Sequence, residues 1–313
     1  MYRDLAVFSG SANPDLAREI CDYLDTPLRG MDIIDFPNEN IFIKLHRSVR
    51  GQDVYVIQSA CSPVNRNVME LLIIIDTLRR ASAEQITAVM PLYPYARSDK
   101  KDQPRVPITA RLIADLITVA GANRYMTIDL HAGQIQGFFT IPGDELTAFH
   151  ILSEYFLKRN IPNAVVVSPD LGFAKKARNF AEKLHIPLAV IEKRRKSPMR
   201  PEALNVIGDV RGKNAILVDD EVLTAGTVVE AVDVLKSRGV DRSFISFTHA
   251  ILTDPATERL RSLPLEEIVT TNTVAIPPEK RLPNMIILSV APLLGEVIRR
   301  THLGISVGEM FNE

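Results

Sequence analysis

The sequence is poor in the features that mark secreted, membrane-spanning and general nucleic-acid-binding proteins. Only two cysteines, Cys21 and Cys61, occur among 313 residues, without a C-x-x-C pair, so no disulfide framework is expected. The longest apolar run, near residues 71–75, is far too short to cross a bilayer, and the start of the chain lacks a signal-peptide profile. The formal net charge of -1 argues against binding nucleic acid through a large positive field. We therefore expect a cytoplasmic protein without membrane or nucleic-acid partners.

Several familiar catalytic and phosphate-binding motifs are also absent. The chain has no G-x-G-x-x-G, H-E-x-x-H or G-x-S-x-G sequence. Residues 208–214 are a near miss for the Walker A loop, because three residues instead of four separate the glycines and an asparagine follows the lysine. That segment also precedes a predicted strand instead of following one, so it is rejected as a phosphate loop.

What the chain does contain is a regular alternation of predicted strands and helices, typical of parallel sheets with helices on both faces. Its length suits two domains, and its 46% hydrophobic and 24% charged content suits a globular core. We predict an α/β fold with two similar domains, residues 1–145 and 146–313, the last helix being a candidate to pack back on the first. The predicted strands are residues 5–8, 54–58, 86–90, 125–128, 164–167, 188–191, 215–218, 243–248, 268–271 and 286–289.

One stretch, residues 214–227, combines a buried strand, two acids, a turn and a helix start. Asp219 and Asp220 close the predicted strand, and a turn of small residues, 224–227, leads into a helical pattern. Free N–H groups at a helix N-terminus favour an anion, and adjacent carboxylates can accept hydrogen bonds from neighbouring sugar hydroxyls. The stretch suits a phosphorylated sugar. The alternative is a strand–turn–helix corner whose acids face water.

Charged loops follow the other predicted strands, where ligands of open parallel sheets bind. Cations alternate there with carboxylates and one histidine, which suits a magnesium–polyphosphate substrate. For each loop an alternative stays open: a solvated basic loop, a structural histidine at His131, or a helix cap at Asp170. These loops are residues 95–105, 129–131, 168–172 and 192–196.

Taken together, these segments resemble the ribose-phosphate diphosphokinase family, also called phosphoribosyl-diphosphate synthetases. The resemblance runs essentially from end to end. The matching segments are residues 8–17, 49–51, 56–59, 93–97, 129–132, 134–139, 167–170, 192–195, 218–220 and 296–302.

The resemblance implies two phosphoribosyltransferase-type domains and an enzyme of nucleotide biosynthesis. Its members transfer the diphosphoryl group of Mg-ATP to the 1-hydroxyl of ribose 5-phosphate, giving 5-phosphoribosyl 1-diphosphate and AMP. The implied ATP-binding residues are Phe36, Asn38, Asn40, Arg97, Ser98, Asp99 and His131. The implied ribose-5-phosphate-binding residues are Asp219, Asp220, Thr224, Ala225, Gly226 and Thr227. The implied Mg2+ contacts are His131 and Asp170, and the implied catalytic residues are Lys193 and Arg195, on a mobile loop of the family.

The resemblance also implies assembly and regulation. Family members form dimers and hexamers, so a homo-oligomer is expected, with inorganic phosphate as a candidate activator. The matching candidate allosteric residues are Arg50, Gln136, Asp144, Ser306 and Phe311.

Departures from the family pattern leave two alternatives open. Leu223 replaces a usual aspartate, Phe173 and Ala225 replace usual glycines, and Asn38 and Asn40 replace a usual acidic pair. The first alternative is a catalytically attenuated, synthetase-like regulatory subunit. The second is a phosphoribosyltransferase, which shares residues 218–227 but leaves the basic loops and the length unexplained.

Overall fold

The structure is a computed structural model that describes residues 4–194 and 203–310. It divides into two units, which are described separately. The first unit takes in the chain as far as Thr147, together with Thr273–Ala275 and the chain from Ser289 onward. The second unit comprises Ala148–Asn272 and Ile276–Leu288. Among the described residues, no helix combines the length and the apolar character needed to cross a membrane.

Strands and helices alternate along both units. The strands are β1 (Leu5–Ser9), β2 (Met31–Asp35), β3 (Ile41–Leu45), β4 (Asp53–Ile57), β5 (Gln85–Met90), β6 (Arg124–Ile128), β7 (Gly143–Leu146), β8 (Ala164–Ser168), β9 (Leu188–Arg194), β10 (Ala203–Ile207), β11 (Asn214–Val222), β12 (Arg242–Ala250), β13 (Leu265–Thr271) and β14 (Met285–Leu288). The helices are α1 (Pro14–Tyr23), α2 (Val64–Arg80), α3 (Thr109–Ala120), α4 (Phe149–Arg159), α5 (Ala174–Leu184), α6 (Gly226–Ser237), α7 (Ala256–Ser262) and α8 (Ala291–His302).

The first unit is built on a parallel five-stranded sheet in the order β1-β4-β5-β6-β7. Every residue of β4 is buried, as expected for a strand covered on both faces. Helix α1 begins at Pro14, because the Asn13 side chain accepts a hydrogen bond from the Leu16 N–H at 3.4 Å and Pro14 occupies the first helical position. Strands β2 and β3 form a separate antiparallel hairpin.

The second unit is built on a seven-stranded sheet in the order β10-β9-β8-β11-β12-β13-β14. All neighbours are parallel except β9 and β10, which pair antiparallel. Strand β11 lies at the centre, with apolar side chains such as Ala215 and Leu217 in the core. The carboxyl ends of β8 and β11 are therefore neighbours. The predicted α/β class, with mostly parallel sheets flanked by helices, is confirmed.

The last helix, α8, belongs to the first unit and packs on α1. The Glu296 carboxylate accepts hydrogen bonds from Tyr23 Oη at 3.2 Å and from Arg299 Nη2 at 2.7 Å. The Arg299 hydrogen bond is the main cause that lowers the pKa of Glu296 to about 2. At the end of the helix, His302 Nδ1 lies 2.8 Å from Asp53 Oδ2, at the start of β4.

Several elements differ from the sequence prediction. Strand β11 runs to Val222, so Asp219 and Asp220 lie within the strand and do not close it. Residues 146–160 have the sequence pattern of a helix, but helix α4 begins only at Phe149, because Leu146 pairs with Ile128 as the end of β7. Strands β2, β3, β7 and β10 were not predicted. They are short or lie at sheet edges, and β7 reads Gly-Asp-Glu-Leu, without an apolar run.

Candidate active site

The acidic pair of β11 is held in the centre of the second sheet. Strand β11 pairs with β12 as far as Val222 opposite Ala250, which keeps Asp219 and Asp220 extended inside the sheet. Asp220 is buried, with 6% of its surface exposed. Its N–H donates to Asp219 Oδ1 at 2.9 Å. Successive strand residues point to opposite faces, and this local bond orients the Asp219 carboxylate.

Negative charge is concentrated around Asp219. Burial raises the pKa of Asp219 well above its usual value, and the charge of Asp220 raises it further. Asp170, which follows the neighbouring strand β8, also raises the pKa of Asp219 through its charge. A carboxylate surrounded by two others favours a ligand that brings hydroxyl donors or a cation.

Next to this pair, the turn over residues 224–227 opens a helix N-terminus. Ala225 has φ +58°, in the left-handed region that favours glycine, and its methyl group is buried in the core of the unit. Helix α6 begins at Gly226. The first N–H groups of a helix have no intrahelical acceptor, so they face the turn and favour an anion. Within the described residues, the N–H groups of 224–227 donate no backbone hydrogen bond.

Residues after β12 support this turn, and the sequence prediction did not include them. Arg259 Nη1, on α7, donates to the Thr224 carbonyl at 2.9 Å. Thr253 donates to the Leu223 carbonyl from its N–H at 2.9 Å and from its Oγ1 at 3.1 Å. Leu223 therefore holds the turn through its backbone, which the Asp-to-Leu departure leaves intact. Arg259 also brings a positive charge to the anion-binding turn.

Asp170 lies on the loop between β8 and α5, and the alternative role as a helix cap is wrong, because the N-cap residue of α5 is Phe173 and no side chain caps the helix. Asp170 Oδ1 accepts the Phe173 N–H at 2.9 Å, and the Asp170 carbonyl accepts the Ser168 hydroxyl at 2.7 Å. The Lys176 Nζ lies 5.7 Å from the centre of the Phe173 ring. One carboxylate oxygen of Asp170 therefore fixes the loop, while the charge of the same carboxylate contributes to the raised pKa of Asp219.

The two predicted catalytic residues lie at the edge of what the structure describes. The backbone of Lys193 belongs to β9, where it pairs with Leu204 of β10. The Lys193 side chain and the whole of Arg195 lie outside the described residues.

In the first unit, the β2–β3 hairpin carries three of the predicted ATP-binding residues at its tip. Phe36 is 46% exposed, and its ring centre lies 6.0 Å from that of Phe42, which is equally exposed. Asn38 Oδ1 accepts the Asn40 N–H at 3.3 Å, and the Asn40 carbonyl accepts the Phe36 N–H at 2.9 Å. Exposed aromatic rings beside amide groups can stack on and hydrogen-bond to a nucleotide base.

An arginine connects this hairpin to the helical layer. Arg66 Nη2, on α2, donates to both carboxylate oxygens of Asp35 at 2.9 and 2.7 Å. Its Nη1 donates to Glu70 Oε2 at 2.7 Å and to the Ser11 hydroxyl at 2.8 Å. The sequence prediction missed this contact, because 31 positions separate Asp35 from Arg66.

Two loops at the carboxyl edge of the first sheet meet. Asp99 is 7% exposed and accepts a hydrogen bond from the Gln134 side-chain amide. The Ser98 carbonyl accepts the Ala110 N–H at 3.2 Å, which fixes the loop against the start of α3. Arg97, which directly precedes Ser98 in the chain, is exposed. The structure therefore joins the predicted Asp99 to the loop that follows His131.

His131 follows β6 and is exposed. Asp129, the first residue after β6, has φ +42°. Its Oδ1 accepts a hydrogen bond from the Thr147 hydroxyl at 2.7 Å. The Leu130 N–H donates to Glu145 Oε1 at 3.0 Å. These bonds fix the backbone on which His131 is presented at the carboxyl edge of the sheet.

The candidate allosteric residues that the structure describes, Arg50, Gln136, Asp144 and Ser306, belong to the first unit, and each contacts a different partner. The Arg50 N–H donates to the Ser48 hydroxyl at 3.4 Å, and the Gln136 side chain donates to Glu145. Asp144 Oδ2 accepts Arg124 Nη2 at 2.6 Å. Ser306 Oγ accepts the Gly308 N–H at 3.2 Å. Phe311 lies outside the described residues.

The oxygen-rich chemistry of the second unit fits a magnesium ion, although not as a site built by protein alone. No cluster of three or more histidine, cysteine, aspartate and glutamate side chains in the described part of the chain could hold a metal by itself. Mg2+ usually keeps several waters and binds through one or two carboxylates together with substrate phosphates. The carboxylate of Asp170, beside Asp219, fits that role.

Comparison with known proteins agrees with this arrangement. The family model described as the N-terminal domain of ribose phosphate pyrophosphokinase matches residues 5–121, and the phosphoribosyl synthetase-associated domain matches residues 194–312. The ribose-phosphate pyrophosphokinase of Caldanaerobacter subterraneus subsp. tengcongensis is 50% identical over 308 residues, covering 98% of each chain. That of Synechococcus elongatus is 50% identical over 309 residues, covering 98% of this chain and 93% of the relative.

A solved structure gives the same result in three dimensions. The crystal structure of phosphoribosylpyrophosphate synthetase from Mycobacterium smegmatis superimposes with a TM-score of 0.92 at 43% identity, covering 96% of this chain and 100% of that one. The acidic strand, the open turn and the full-length similarity lead to one conclusion: the chain belongs to the ribose-phosphate pyrophosphokinase family.

Proposed function

We propose that the chain transfers the diphosphoryl group of Mg-ATP to the 1-hydroxyl of ribose 5-phosphate, producing 5-phosphoribosyl 1-diphosphate and AMP. The observation that carries the proposal is the placement of Asp219 and Asp220 near the end of β11, with three residues separating the pair from the turn 224–227. Buried carboxylates and free N–H groups on one strand–helix unit suit the hydroxyls and the phosphate of a single sugar phosphate.

The ribose 5-phosphate is bound by the second unit. The 5-phosphate accepts hydrogen bonds from the N–H groups of Thr224, Ala225, Gly226 and Thr227 and from the two threonine hydroxyls. The nearby Arg259 adds a positive charge. Asp219 and Asp220 accept hydrogen bonds from the ribose hydroxyls. Binding these donors compensates the like-charge repulsion that raises the pKa of Asp219.

The ATP is bound by loops of the first unit. Phe36 stacks on the base, while Asn38 and Asn40 offer uncharged amide groups. Arg97 binds phosphate oxygens. Asp99, held by Gln134, and Ser98 complete the nucleotide contacts.

Asp170 of the second unit is a proposed contact for Mg2+, and His131 of the first unit is another. When bound, Mg2+ neutralises charge on the phosphate oxygens of ATP. Asp170 presents a carboxylate whose geometry is fixed by the Phe173 N–H. His131 presents an imidazole at a strand end, where it can contact metal or phosphate.

The proposed catalytic groups are Lys193 and Arg195. Attack of the 1-hydroxyl on the β-phosphorus spreads negative charge over nonbridging oxygens, so cations positioned there lower the barrier. The position of Lys193 in β9 lies on the segment that leads to Arg195. A loop that delivers both cations while excluding water also limits hydrolysis of ATP.

We also propose that the chain works in the cytoplasm as a homo-oligomer in which dimers assemble into a hexamer. Inorganic phosphate is the proposed activator, bound by Arg50, Gln136, Asp144, Ser306 and Phe311. This part of the proposal rests on the family resemblance.

The experiment is to measure AMP formation from ATP and ribose 5-phosphate with Mg2+, with and without inorganic phosphate. We expect AMP only when both substrates are present. Lys193→Ala should lower kcat by about 100- to 1,000-fold, while Lys158→Ala, on the exposed face of α4, should leave it unchanged. A phosphate requirement supports the regulatory site, and turnover without phosphate removes that assignment alone.

The alternatives give different outcomes in the same assay. A phosphoribosyltransferase would consume 5-phosphoribosyl 1-diphosphate and release no AMP from ribose 5-phosphate. Absence of turnover with any divalent metal and any phosphate level would identify a regulatory subunit instead.

A further inference from the structure

Two successive carbonyl groups at the turn over residues 224–227 are bound by the segment that follows β12. The Leu223 carbonyl accepts two hydrogen bonds from Thr253, one from its N–H at 2.9 Å and one from its Oγ1 at 3.1 Å. The Thr224 carbonyl accepts a hydrogen bond from Arg259 Nη1 at 2.9 Å. Thr253 and Arg259 together form a carbonyl clamp, because three donors from another part of the chain fix two neighbouring peptide groups.

Fixing a carbonyl also fixes the direction of the N–H group in the same peptide. A trans peptide is planar, so its C=O and N–H bonds point in opposite directions. The Leu223 carbonyl shares its peptide with the Thr224 N–H, and the Thr224 carbonyl shares its peptide with the Ala225 N–H. Because both carbonyls point toward the clamp, both N–H groups point away from it. Neither N–H group donates a backbone hydrogen bond within residues 4–194 and 203–310.

The turn needs support from outside, because its conformation is costly for alanine. Ala225 has φ +58° and ψ +12°, in the left-handed region where a Cβ atom crowds the backbone. A residue other than glycine keeps such a conformation only where its surroundings determine it. The buried methyl group of Ala225 fixes the turn from the core. The clamp fixes the same turn from the side of its carbonyl groups.

The segment that carries the clamp is held by bonds that do not involve the turn. The Thr253 carbonyl accepts the Ala256 N–H at 2.7 Å. The preceding carbonyl, of Leu252, accepts a hydrogen bond from Lys280 Nζ at 2.7 Å. Arg259 is carried by α7, which begins at Ala256. The donors of the clamp are therefore in place before any ligand binds.

We propose that Thr253 and Arg259 are positioning residues for ribose 5-phosphate, which orient the N–H groups of Thr224 and Ala225 toward the 5-phosphate. The inference rests on the proposed function, since that function assigns the 5-phosphate to this turn. Thr253 carries no charge and its hydroxyl already donates to the Leu223 carbonyl, so Thr253 acts on the phosphate through the turn. Donors that are already oriented bind an anion more tightly than donors that must first be ordered.

The test is isothermal titration of ribose 5-phosphate into the full-length protein with Mg2+ and α,β-methylene-ATP. The carbon bridge between the α- and β-phosphorus atoms of this analogue prevents diphosphoryl transfer, so binding is measured without turnover. Thr253→Val removes the hydroxyl donor and keeps the shape of the side chain and the backbone N–H. It should weaken ribose 5-phosphate binding about 2- to 10-fold, as expected for the loss of one hydrogen bond. Thr253→Ser, which keeps the hydroxyl, should bind like the unmodified chain.

Thr257→Val is the matched control, because it makes the same chemical change in the same segment. The Thr257 hydroxyl is buried and has no hydrogen-bond partner within the described part of the chain. Its removal should leave the affinity for ribose 5-phosphate unchanged. Thr253→Val should also bind α,β-methylene-ATP as tightly as the unmodified chain, since the proposed base-binding residues belong to the first unit.

If Thr253→Val does not fold, Arg259→Gln provides a second test at an exposed position. It should weaken ribose 5-phosphate binding about 10- to 100-fold, because a hydrogen bond from a charged donor is lost. Arg261→Gln, also exposed on α7, controls for the loss of one positive charge. An equal loss of affinity in Arg261→Gln would overturn the positioning role of Arg259.

Failure of this inference and failure of the proposed function give different results. If the unmodified chain does not bind ribose 5-phosphate, both are wrong. If the unmodified chain binds it and Thr253→Val binds it equally well, only the positioning role is overturned. A loss of affinity that also occurs in Thr253→Ser overturns that role as well, because the hydroxyl donor would then not be its cause.

Discussion

Each unit contains a buried acid next to its sheet, but the surroundings of the two acids are opposite. Glu70, on α2 of the first unit, has no exposed surface and accepts from the Ser11 N–H at 2.6 Å, the Ser11 hydroxyl at 2.8 Å, Gln58 Nε2 at 2.8 Å and Arg66 Nη1 at 2.7 Å. Burial raises the pKa of Asp219, on β11 of the second unit, and the charges of two further carboxylates, Asp220 and Asp170, raise it further.

The difference separates a structural acid from a functional one. Glu70 holds the turn after β1, where a side chain at Gly10 would place its Cβ 2.3 Å from Gln58 Oε1. Its hydrogen-bonding capacity is used within the fold. Burial and the charges of neighbouring carboxylates raise the pKa of Asp219, so a ligand that supplies donors or positive charge is favoured beside it. Stability and binding therefore depend on different acids, which can be tested separately.

The largest expected effect is on stability, from Glu70→Ala. The change removes the buried carboxylate that pairs with Arg66 and accepts from Ser11 and from the buried Gln58, which should lower the free energy of unfolding by about 3–5 kcal/mol. Urea unfolding followed by circular dichroism measures it. Asp76→Ala is the matched control on the same helix, because Asp76 forms only an exposed pair with Arg80 and should cost less than about 1 kcal/mol. Equal losses in the two variants would contradict the structural role of Glu70.

The next effect is on catalysis, from Asp220→Asn. Losing a charged acceptor for a ribose hydroxyl should reduce kcat/KM for ribose 5-phosphate by about 1.5–3 kcal/mol, or on the order of 10- to 100-fold. The free energy of unfolding should stay the same or rise, because one like charge has been removed. Asp233→Asn, on the exposed face of α6, controls for a general loss of charge. A variant that loses stability but keeps activity would reverse the assignment of the two acids.

A third test uses the pH dependence of stability. Because the folded-state pKa of Asp219 is raised, the folded protein retains a proton that the unfolded chain releases near the usual aspartate pKa of 3.8. This contribution to stability is present below that pH and is lost as pH rises to the folded pKa. Asp219→Asn should therefore gain stability relative to the unmodified chain across that window, and the gain should level off above it. Unfolding curves at several pH values measure the gain.

Glu296 provides the control of opposite sign. Its pKa is lowered to about 2 from the usual glutamate value of 4.5, so its contribution to stability is present above pH 4.5 and is lost as pH falls through about 2. Glu296→Gln should be less stable than the unmodified chain near neutral pH, with a difference that shrinks in acid. If both variants showed the same trend, the inferred surroundings of Asp219 would be wrong.

These acids also show which parts of the site a sequence reveals. The core strand 215–218, the pair Asp219–Asp220 and the turn 224–227 are local, since each follows from neighbouring residues and their spacing. The contacts from Arg66 to Asp35 and from Arg259 to Thr224 cross 31 and 35 positions, and no periodic pattern encodes them.

The hairpin illustrates the same limit. Its strands read Met-Asp-Ile-Ile-Asp and Ile-Phe-Ile-Lys-Leu, and neither alternates cleanly between apolar and polar residues. Phe36, Asn38 and Asn40 entered the predicted site through the family resemblance and not through a strand pattern. The contacts of Arg66 with Glu70 and with Asp35 of the hairpin are evident only in the three-dimensional structure.

The smallest expected effect comes from Asp35, the hairpin acid that shares Arg66 with the structural acid Glu70. Arg66 binds Glu70 through Nη1 and Asp35 through Nη2. Asp35→Asn removes only the hairpin side of this connection. An exposed pair contributes about 0.2–1 kcal/mol, so KM for ATP should rise about 1.5- to 5-fold with kcat nearly unchanged. Arg66→Gln should also weaken the fold, since Glu70 loses a donor. Initial rates at varied ATP measure the first effect, with Asp76→Asn as the control; an unchanged KM in Asp35→Asn would show that the hairpin tip is positioned without this contact.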